Sequence, residues 1–309
     1  MPPSHPPSPE PDGRAALARG FSVGHWTDEA ARTGCTVVIP PRGNVTSCDV
    51  RGSSPGSREL ALIGLEGRLD ESHAVVLTGG SSFGLAAADG VASLLEERGV
   101  GYETAGGLVP IVPAAVIFDL AVGDPTVRPG PVQGRSAAAS ATEDGVASGL
   151  VGAGTGATVG KWAGREHGVP GGLGLASASA EGLTVGALAV VNSVGDVIGA
   201  DGGVLAGTTA PDPRFIPPRS PQPEAPLNTV LGVVAVHADL DKQAVRWLAA
   251  RGSDGVTGSV RPAHTRYDGD VVFAIAARAG TGADAAGLDL LGSLATEAMA
   301  QAVRAAVSA

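Results

Sequence analysis

Apolar residues recur along the chain in two kinds of pattern. Short runs rich in Val, Ile and Thr, bounded by Gly, Pro or Asp, predict buried strands. Longer stretches rich in Ala and Leu, with apolar residues three or four positions apart, predict helices, and Gly252 is expected to end the third of them. The predicted strands cover residues 34–40, 47–52, 73–78, 112–120, 183–192, 229–236 and 271–275, and the predicted helices cover 82–98, 136–150, 239–251 and 283–307.

The order of these elements favours an α+β fold. Strands and helices do not alternate regularly, as they would in a doubly wound parallel sheet. Aromatic residues make up only 3% of the 309 residues, so the layers of the core must pack closely through small side chains. Residues 1–20 are predicted to be a disordered tail because Pro, Ser and charged residues dominate their first half. Residues 21–309 are predicted to form a single domain.

Composition excludes several classes of partner. The formal net charge is −10, which argues against a nucleic acid or an anionic membrane, since either would need a basic face. No apolar run is long enough to span a bilayer, and no secretory signal is recognised, so we expect a cytoplasmic protein. Cys35 and Cys48 are expected to be free thiols in that reducing compartment. No zinc motif occurs, and neither a metal nor a cofactor is expected.

The most informative position is Thr229, where a loop becomes a strand. Seven prolines lie between Pro211 and Pro226, and this composition predicts an exposed, extended loop. The Thr229 hydroxyl could attack the carbonyl of Asn228, and hydrolysis of the resulting ester would free Thr229 as a new amino terminus. One residue would then carry both a nucleophile and a base. By itself the signal is weak, because an Asn-Thr pair is usually a turn residue followed by a strand former.

Four segments together make the signal more specific. The chain resembles the self-processing aminopeptidases and amidases, a family that includes the L-aminopeptidase/D-amino-acid esterases, the β-aminopeptidases and the nylon-oligomer hydrolase. The resemblance extends from about Phe21 to the C-terminus. The segments that carry it are GTGATVGK at 154–161, AVVN at 189–192, LNTVLGVV at 227–234 and HTRYDGD at 264–270.

The resemblance implies a fold and an assembly. The fold is a four-layer αββα sandwich of the N-terminal-nucleophile type, in which residues 21–309 are one catalytic domain. Self-cleavage would divide this domain into an α chain, residues 21–228, and a β chain, residues 229–309. Members of the family assemble as tetramers of the αβ unit, so a homo-oligomer is expected.

The resemblance also assigns the catalytic residues. Thr229 is the nucleophile, and Lys161 lowers the pKa of its amine or stabilises negative charge on its oxygen. Asn192 donates to the oxyanion through its amide, and Asp268 and Asp270 contact the threonine as in the nylon-hydrolase branch. Each residue also has an ordinary interpretation: a solvated lysine, an asparagine that ends a strand, and an Asp-Gly-Asp turn.

A glycine turn after the third predicted strand is the candidate substrate pocket. A strand, a glycine loop and a helix N-terminus can bind phosphate, but neither of the usual phosphate-binding motifs is present. The resemblance instead places Ser81, Ser82 and Phe83 along the substrate pocket. Phe118 lies where the family commonly has a tyrosine, so it fills the same space without a hydroxyl.

The leading hypothesis is a self-processed amide hydrolase that acts on small peptides or amino-acid amides. An acyltransferase similar to the ornithine acetyltransferases is the alternative within enzymes. A small-ligand binding protein that lost processing is the alternative outside them. Aminoacyl peptides, β-peptides, D-amino-acid amides and ω-amino-acid oligomers all remain open as substrates.

Overall fold

Two five-stranded sheets form the centre of the protein. The computed structural model describes residues 14–211, 228–282 and 285–308. The strands of the two sheets are β1 (Ser22–Asp28), β2 (Thr33–Ile39), β3 (Val45–Gly52), β4 (Ser57–Arg58), β5 (Val75–Thr78), β6 (Ala114–Val116), β7 (Gly172–Ala180), β8 (Leu183–Asn192), β9 (Thr229–Asp239) and β10 (Gly269–Gly282).

Strand order differs between the sheets. The first sheet has the order β1-β2-β5-β6-β4 and the second β7-β8-β9-β10-β3. In the second sheet β9 pairs antiparallel with β8 and parallel with β10. Shorter paired strands lie at Arg14–Ala15, Tyr102–Thr104, Gly107–Val109, Val146–Ala147, Thr158–Val159, Val169–Pro170, Asp196–Ile198, Val204–Ala206 and Val260–Arg261.

Four helices cover the outer faces of the sheets. They are α1 (Ala87–Glu97), α2 (Pro131–Ala139), α3 (Lys242–Ser259) and α4 (Ala285–Ala305), and a four-residue helix spans Leu60–Ile63. One buried cluster lies between α1, α2 and the first sheet, and another lies between α3, α4 and the second sheet. A third cluster fills the space between the two sheets. The protein is therefore an αββα sandwich, which confirms the predicted fold class.

The central strand β9 explains why its sequence is apolar without interruption. Successive side chains of a strand point to opposite faces. Leu231 and Val233 belong to the cluster between the sheets, whereas Val230 and Val234 belong to the cluster under the helices. Both faces of β9 are buried, so the residues at odd and at even positions must both be apolar.

Several predicted boundaries were wrong. The predicted helix over 136–150 is instead α2, which begins at Pro131, a residue favoured in the first turn of a helix. The predicted helix over 239–251 is α3, which runs past Gly252 to Ser259. Gly252 lies inside α3, where the helix comes close to the second sheet. An added Cβ at Gly252 would lie 2.8 Å from Val234 and from Val272. The strand predicted over 112–120 is only β6.

The N-terminal prediction also needs correction. Residues 1–13 lie outside the described residues, but Arg14–Ala15 pairs with Val146–Ala147 and Leu17 is buried. Disorder therefore does not extend to residue 20, because an apolar side chain docks this segment on the core. Residues 212–226 of the predicted proline-rich loop lie outside the described residues. Cys35 and Cys48 are free, as predicted, and both are buried.

Candidate active site

Thr229 is the first residue of β9, and its position defines the candidate site. Leu231 lies two positions further along the strand, so the Thr229 side chain points to the same face, toward the space between the sheets. Asn192 is the last residue of β8 and pairs directly with Thr229. Asn192 shares this face with Val190, which packs between the sheets. The two strand ends therefore bring a hydroxyl and an amide together, and both residues are at most 4% exposed.

The peptide bond between Asn228 and Thr229 is held from two sides. The Thr229 hydroxyl donates to the carbonyl oxygen of Asn228 over 2.5 Å. The backbone N–H of Gly269 donates to the same oxygen over 2.9 Å. A carbonyl that accepts a backbone N–H is polarised in the direction that stabilises negative charge on its oxygen. The candidate nucleophile thus lies against a carbonyl group with a donor already in place.

Lys161 contacts the site through Asn192. Its Nζ lies 2.8 Å from the Oδ1 of Asn192 and 3.2 Å from its backbone oxygen. The Asn192 Oδ1 also accepts the N–H of Thr158 over 3.0 Å, and the Asn192 Nδ2 donates to the backbone oxygen of Phe118 over 3.3 Å. The amide was predicted to point at the scissile carbonyl. In the single-chain form that carbonyl instead accepts from Gly269, and the Asn192 amide bonds to Phe118.

The charge of Lys161 is disfavoured where it lies. The side chain is 2% exposed. Burial, together with the like charge of Arg165, holds the pKa of Lys161 well below its ordinary value of 10.5, although Asp268 opposes this shift. Lysines whose pKa is lowered by burial are common among functional groups of enzymes. Desolvation is the largest cause of this shift.

Asp268 lies next to the scissile bond. It forms an isolated parallel bridge with Asn228, and its Oδ2 accepts the N–H and the hydroxyl of Thr265 at 2.7 and 2.6 Å. Burial and the neighbouring charge of Asp270 raise the pKa of Asp268 to about 6, despite the two bonds from Thr265. The carboxyl group therefore changes charge within the pH range in which many hydrolases work.

Asp270 contacts the main chain immediately after Thr229. Its Oδ1 accepts the N–H of Val230 over 2.6 Å, and its Oδ2 lies 2.6 Å from the Nδ1 of His264. Asp268 and Asp270 were both predicted to contact the threonine. Asp268 accepts from Thr265, and Asp270 accepts from the Val230 N–H, next to Thr229, and lies against His264.

The predicted pocket residues lie in two places. Ser81 donates its N–H to the oxygen of Ile117, next to Phe118, so the glycine turn and Phe118 are adjacent. Phe83 is 56% exposed and stacks with Arg128, whose guanidinium carbon lies 3.9 Å from the ring centre. Ser82 is also exposed. Ser81 and Phe118 therefore border the site, whereas Ser82 and Phe83 lie at the surface.

Phe118 has a neighbour that sequence reasoning missed. The guanidinium carbon of Arg165 lies 5.3 Å from the centre of the Phe118 ring, a distance typical of a cation–π contact. Arg165 also contributes to the lowered pKa of Lys161. The sequence also gave no sign of the Gly269 N–H, because a backbone donor leaves no signal in side-chain identity. His264 was given no role, although it is the first residue of the HTRYDGD segment.

Comparison with known proteins identifies the family. The αββα sandwich, with its candidate nucleophile at the head of a central strand, defines the class of N-terminal-nucleophile hydrolases. The family model described as Peptidase family S58 matches residues 18–309. The chain therefore belongs to peptidase family S58 and is a hydrolase of peptide or amide bonds.

Relatives and solved structures agree with this assignment. An uncharacterized aminopeptidase of Mycobacterium leprae is 43% identical over 83% of this chain and 76% of its own length. A 6-aminohexanoate-oligomer endohydrolase of Kocuria is 30% identical over 83% of this chain and 72% of its own length. The fold is similar to that of a Burkholderia β-aminopeptidase, at 22% identity and a TM-score of 0.71, covering 94% of this chain and 85% of that one. It is also similar to an L-aminopeptidase D-Ala-esterase/amidase of Ochrobactrum anthropi, at 19% identity and a TM-score of 0.69, with the same two coverages.

Two further observations concern the described residues only. None of the helices in them is long and apolar enough to cross a membrane. No group of three or more His, Cys, Asp and Glu side chains among them is arranged to hold a metal ion.

Proposed function

We propose that the chain cuts itself between Asn228 and Thr229 and that the freed Thr229 is the nucleophile of an aminopeptidase or amidase. The observation that carries the proposal is the position of the Thr229 hydroxyl, 2.5 Å from the Asn228 carbonyl oxygen, which also accepts the Gly269 N–H. A hydroxyl, a carbonyl and an oxyanion donor therefore meet at one peptide bond. These are the three components of acyl transfer.

Cleavage takes two steps. The Thr229 oxygen attacks the carbonyl carbon of Asn228, the C–N bond breaks, and the hydroxyl proton passes to the departing amine. The product is an ester between the Asn228 acyl group and the Thr229 oxygen. Water then hydrolyses this ester to an Asn228 carboxylate and a free threonine hydroxyl. The Gly269 N–H stabilises the negative charge on the carbonyl oxygen in both steps.

The same residue then acts on the substrate. The amine of Thr229 accepts the proton of its own hydroxyl, the oxygen attacks the substrate amide, and water releases the acyl group. Lys161 contacts Asn192, the strand partner of Thr229, and from there it can lower the pKa of the amine or stabilise the alkoxide. Asn192 holds Lys161, and Asp268 and Asp270 offset the positive charges. Substrates are short peptides or linear amides, in line with relatives named aminopeptidase and 6-aminohexanoate-oligomer endohydrolase.

The domain boundaries, the assembly and the cellular compartment are part of the same proposal. Residues 21–309 form one catalytic domain divided into chains 21–228 and 229–309, and four such units assemble in the cytoplasm. Two buried free thiols are typical of a protein from a reducing compartment. Size-exclusion chromatography with light scattering measures the assembly directly.

Electrophoresis under denaturing conditions tests self-cleavage. The purified full chain is expected to give two pieces, the smaller beginning Thr-Val-Leu-Gly by N-terminal sequencing. Thr229→Val, which removes the hydroxyl but keeps the shape, is expected to give one piece and at least a ~1000-fold loss of amide hydrolysis. Thr229→Ser is the matched control, because it retains a hydroxyl and is expected to be cut. An uncut wild-type chain with full activity would disprove the proposal.

A further inference from the structure

His264 is a partly buried titratable residue that the reaction above does not use. We propose that His264 is a positioning residue: as an imidazolium, it holds Asp270 against the Val230 N–H and so holds the newly formed amino terminus in place. The inference rests on the proposed function of Thr229. It assigns to His264 a role that neither the sequence nor the family comparison gives.

The hydrogen bonds of the ring determine its charge. The Nε2 of His264 lies 3.1 Å from the backbone oxygen of Ser253, and a carbonyl oxygen only accepts hydrogen bonds. Nε2 must therefore carry a hydrogen. The Nδ1 lies 2.6 Å from the carboxylate of Asp270, which also accepts when ionised. A ring that donates from both nitrogens is doubly protonated and positively charged.

The surrounding charges are consistent with a protonated ring. Burial lowers the pKa of His264, but the hydrogen bond and the negative charge of Asp270 on β10 outweigh it, so that the pKa is raised from its ordinary value. Arg51 on β3 opposes this effect. Arg51 pairs with Asp49 at 2.8 Å and with Asp254 of α3 at 2.9 Å, and these carboxylates also pair with Arg246 and Arg251. Asp270 is the charged group in direct contact with the ring.

The backbone of His264 is compatible with its side-chain contacts. Its φ is +52°, in the left-handed region, which glycine, asparagine, aspartate and histidine adopt more often than other residues. Asparagine can therefore replace His264 without changing the backbone, but it cannot supply the two ring contacts to Asp270 and Ser253.

Cleavage makes this arrangement important. In the single chain, Thr229 is held on one side by the Gly269 N–H, which binds the Asn228 oxygen, and on the other by Asp270, which binds the Val230 N–H. Breaking the Asn228–Thr229 bond frees the first side. The pairing of Thr229 with Asn192 and the bond from the Val230 N–H to Asp270 then remain as anchors of the reactive terminus. The strand pairing of Asp270 with Arg51 fixes its main chain, and His264 fixes its carboxylate through Oδ2.

Steady-state kinetics of processed enzyme tests the role. His264→Asn suits the left-handed backbone and can donate one neutral hydrogen bond, but it cannot carry a charge. We expect kcat on an aminoacyl anilide to fall about 10- to 100-fold, as for small misplacements of reacting groups, while KM changes less than about twofold. We also expect the alkaline limb of kcat to disappear, because in the wild type the imidazolium is lost as pH rises. His237→Asn on β9, where His237 is exposed, is the matched control and is expected to behave as wild type.

A second measurement does not depend on activity. Nitrogen-15 NMR of histidine-labelled Thr229→Val protein reports the protonation of each of the six rings. The His264 resonance, assigned by its loss in the double variant with His264→Asn, is expected to show two protonated nitrogens and to titrate above the ordinary histidine pKa of about 6.5. A ring that is neutral at about pH 6 overturns the inference, as does an unchanged kcat and pH profile in His264→Asn. If Thr229→Val hydrolyses substrate, the proposed function fails instead, whatever His264 does.

Discussion

Lys161 Nζ lies 2.8 Å from Asn192 Oδ1, and Asn192 is the direct strand partner of Thr229. The Asn192 side chain thus places the lysine beside the strand that carries the candidate nucleophile. Burial and Arg165 both hold its pKa down. Activity should therefore respond to changes in the charge of Arg165, although Arg165 takes no part in the chemistry.

Arg165→Gln tests this dependence. Removing the like charge favours protonated Lys161, so the pKa of Lys161 rises toward its ordinary value. The part of the pH dependence of kcat/KM that reflects the titration of Lys161 is expected to move to higher pH. The direction is the same whether the reaction needs the neutral amine or the ammonium form of Lys161. Arg165→Lys keeps the charge and is expected to leave that part of the pH dependence in place. An equal shift in both variants would show that stacking on Phe118, and not charge, is what matters.

Asn192→Ala removes the side-chain acceptor of Lys161 and the amide carried by the direct strand partner of Thr229. We expect kcat to fall about 100- to 1000-fold, comparable to the loss of one oxyanion-hole donor. Thr158→Val is the matched control: it removes a hydroxyl 3.4 Å from the Asn192 Oδ1 but keeps the backbone N–H that binds the same atom. Steady-state kinetics should show less than about a threefold change for Thr158→Val. Equal losses in both variants would argue against a specific role of the Asn192 amide.

Asp268→Asn is expected to stabilise the protein while it abolishes activity. The pKa of Asp268 is about 6 in the folded protein against 3.8 for a free side chain, so the folded state binds this proton more tightly than the unfolded state. Its favourable contribution is complete at about pH 4 and is lost as pH rises through 6. The neutral amide escapes that loss, and we expect a gain of about 1–3 kcal/mol at about pH 7.5 and little gain at about pH 4.

Chemical denaturation at the two pH values measures this difference. Both proteins should carry Thr229→Val so that cleavage does not alter the unfolding reaction. A gain that is equal at both pH values would show that packing, and not ionisation, is its source. A loss of stability at pH 7.5 would contradict the raised pKa of the carboxyl group.

Much of the fold follows from local patterns. Strand β8 has its predicted bounds because an apolar run ends at Asn192 before a Ser-Val-Gly-Asp turn. The layer order and the family also agree with the resemblance. The catalytic roles of Lys161, Asn192, Thr229 and the two aspartates stay predictions, although the structure brings these residues together.

Other features depend on contacts that no local pattern contains. The Gly269 N–H meets the Asn228 oxygen because β9 and β10 run parallel, and a backbone donor is the same for every residue type except proline. Likewise, Gly252 resembles a helix end in the sequence, but it continues α3 because β9 and β10 approach it closely. Pairing between distant strands decides both cases.

Two glycines of α3 differ in how closely other residues approach them. An added Cβ at Gly252 would lie 2.8 Å from the Val234 and Val272 methyl groups, which are β-branched and buried and have little freedom to move. Gly258 lies in the same helix with no atom within 4 Å of such a Cβ. Gly252→Ala is expected to lower the free energy of unfolding by about 1–2 kcal/mol through overpacking. Gly258→Ala is expected to raise it by about 0.5–1 kcal/mol, because alanine favours the helix. Urea unfolding of the two variants measures both values, and a stabilising Gly252→Ala would show that the helix and sheet are less closely packed than described.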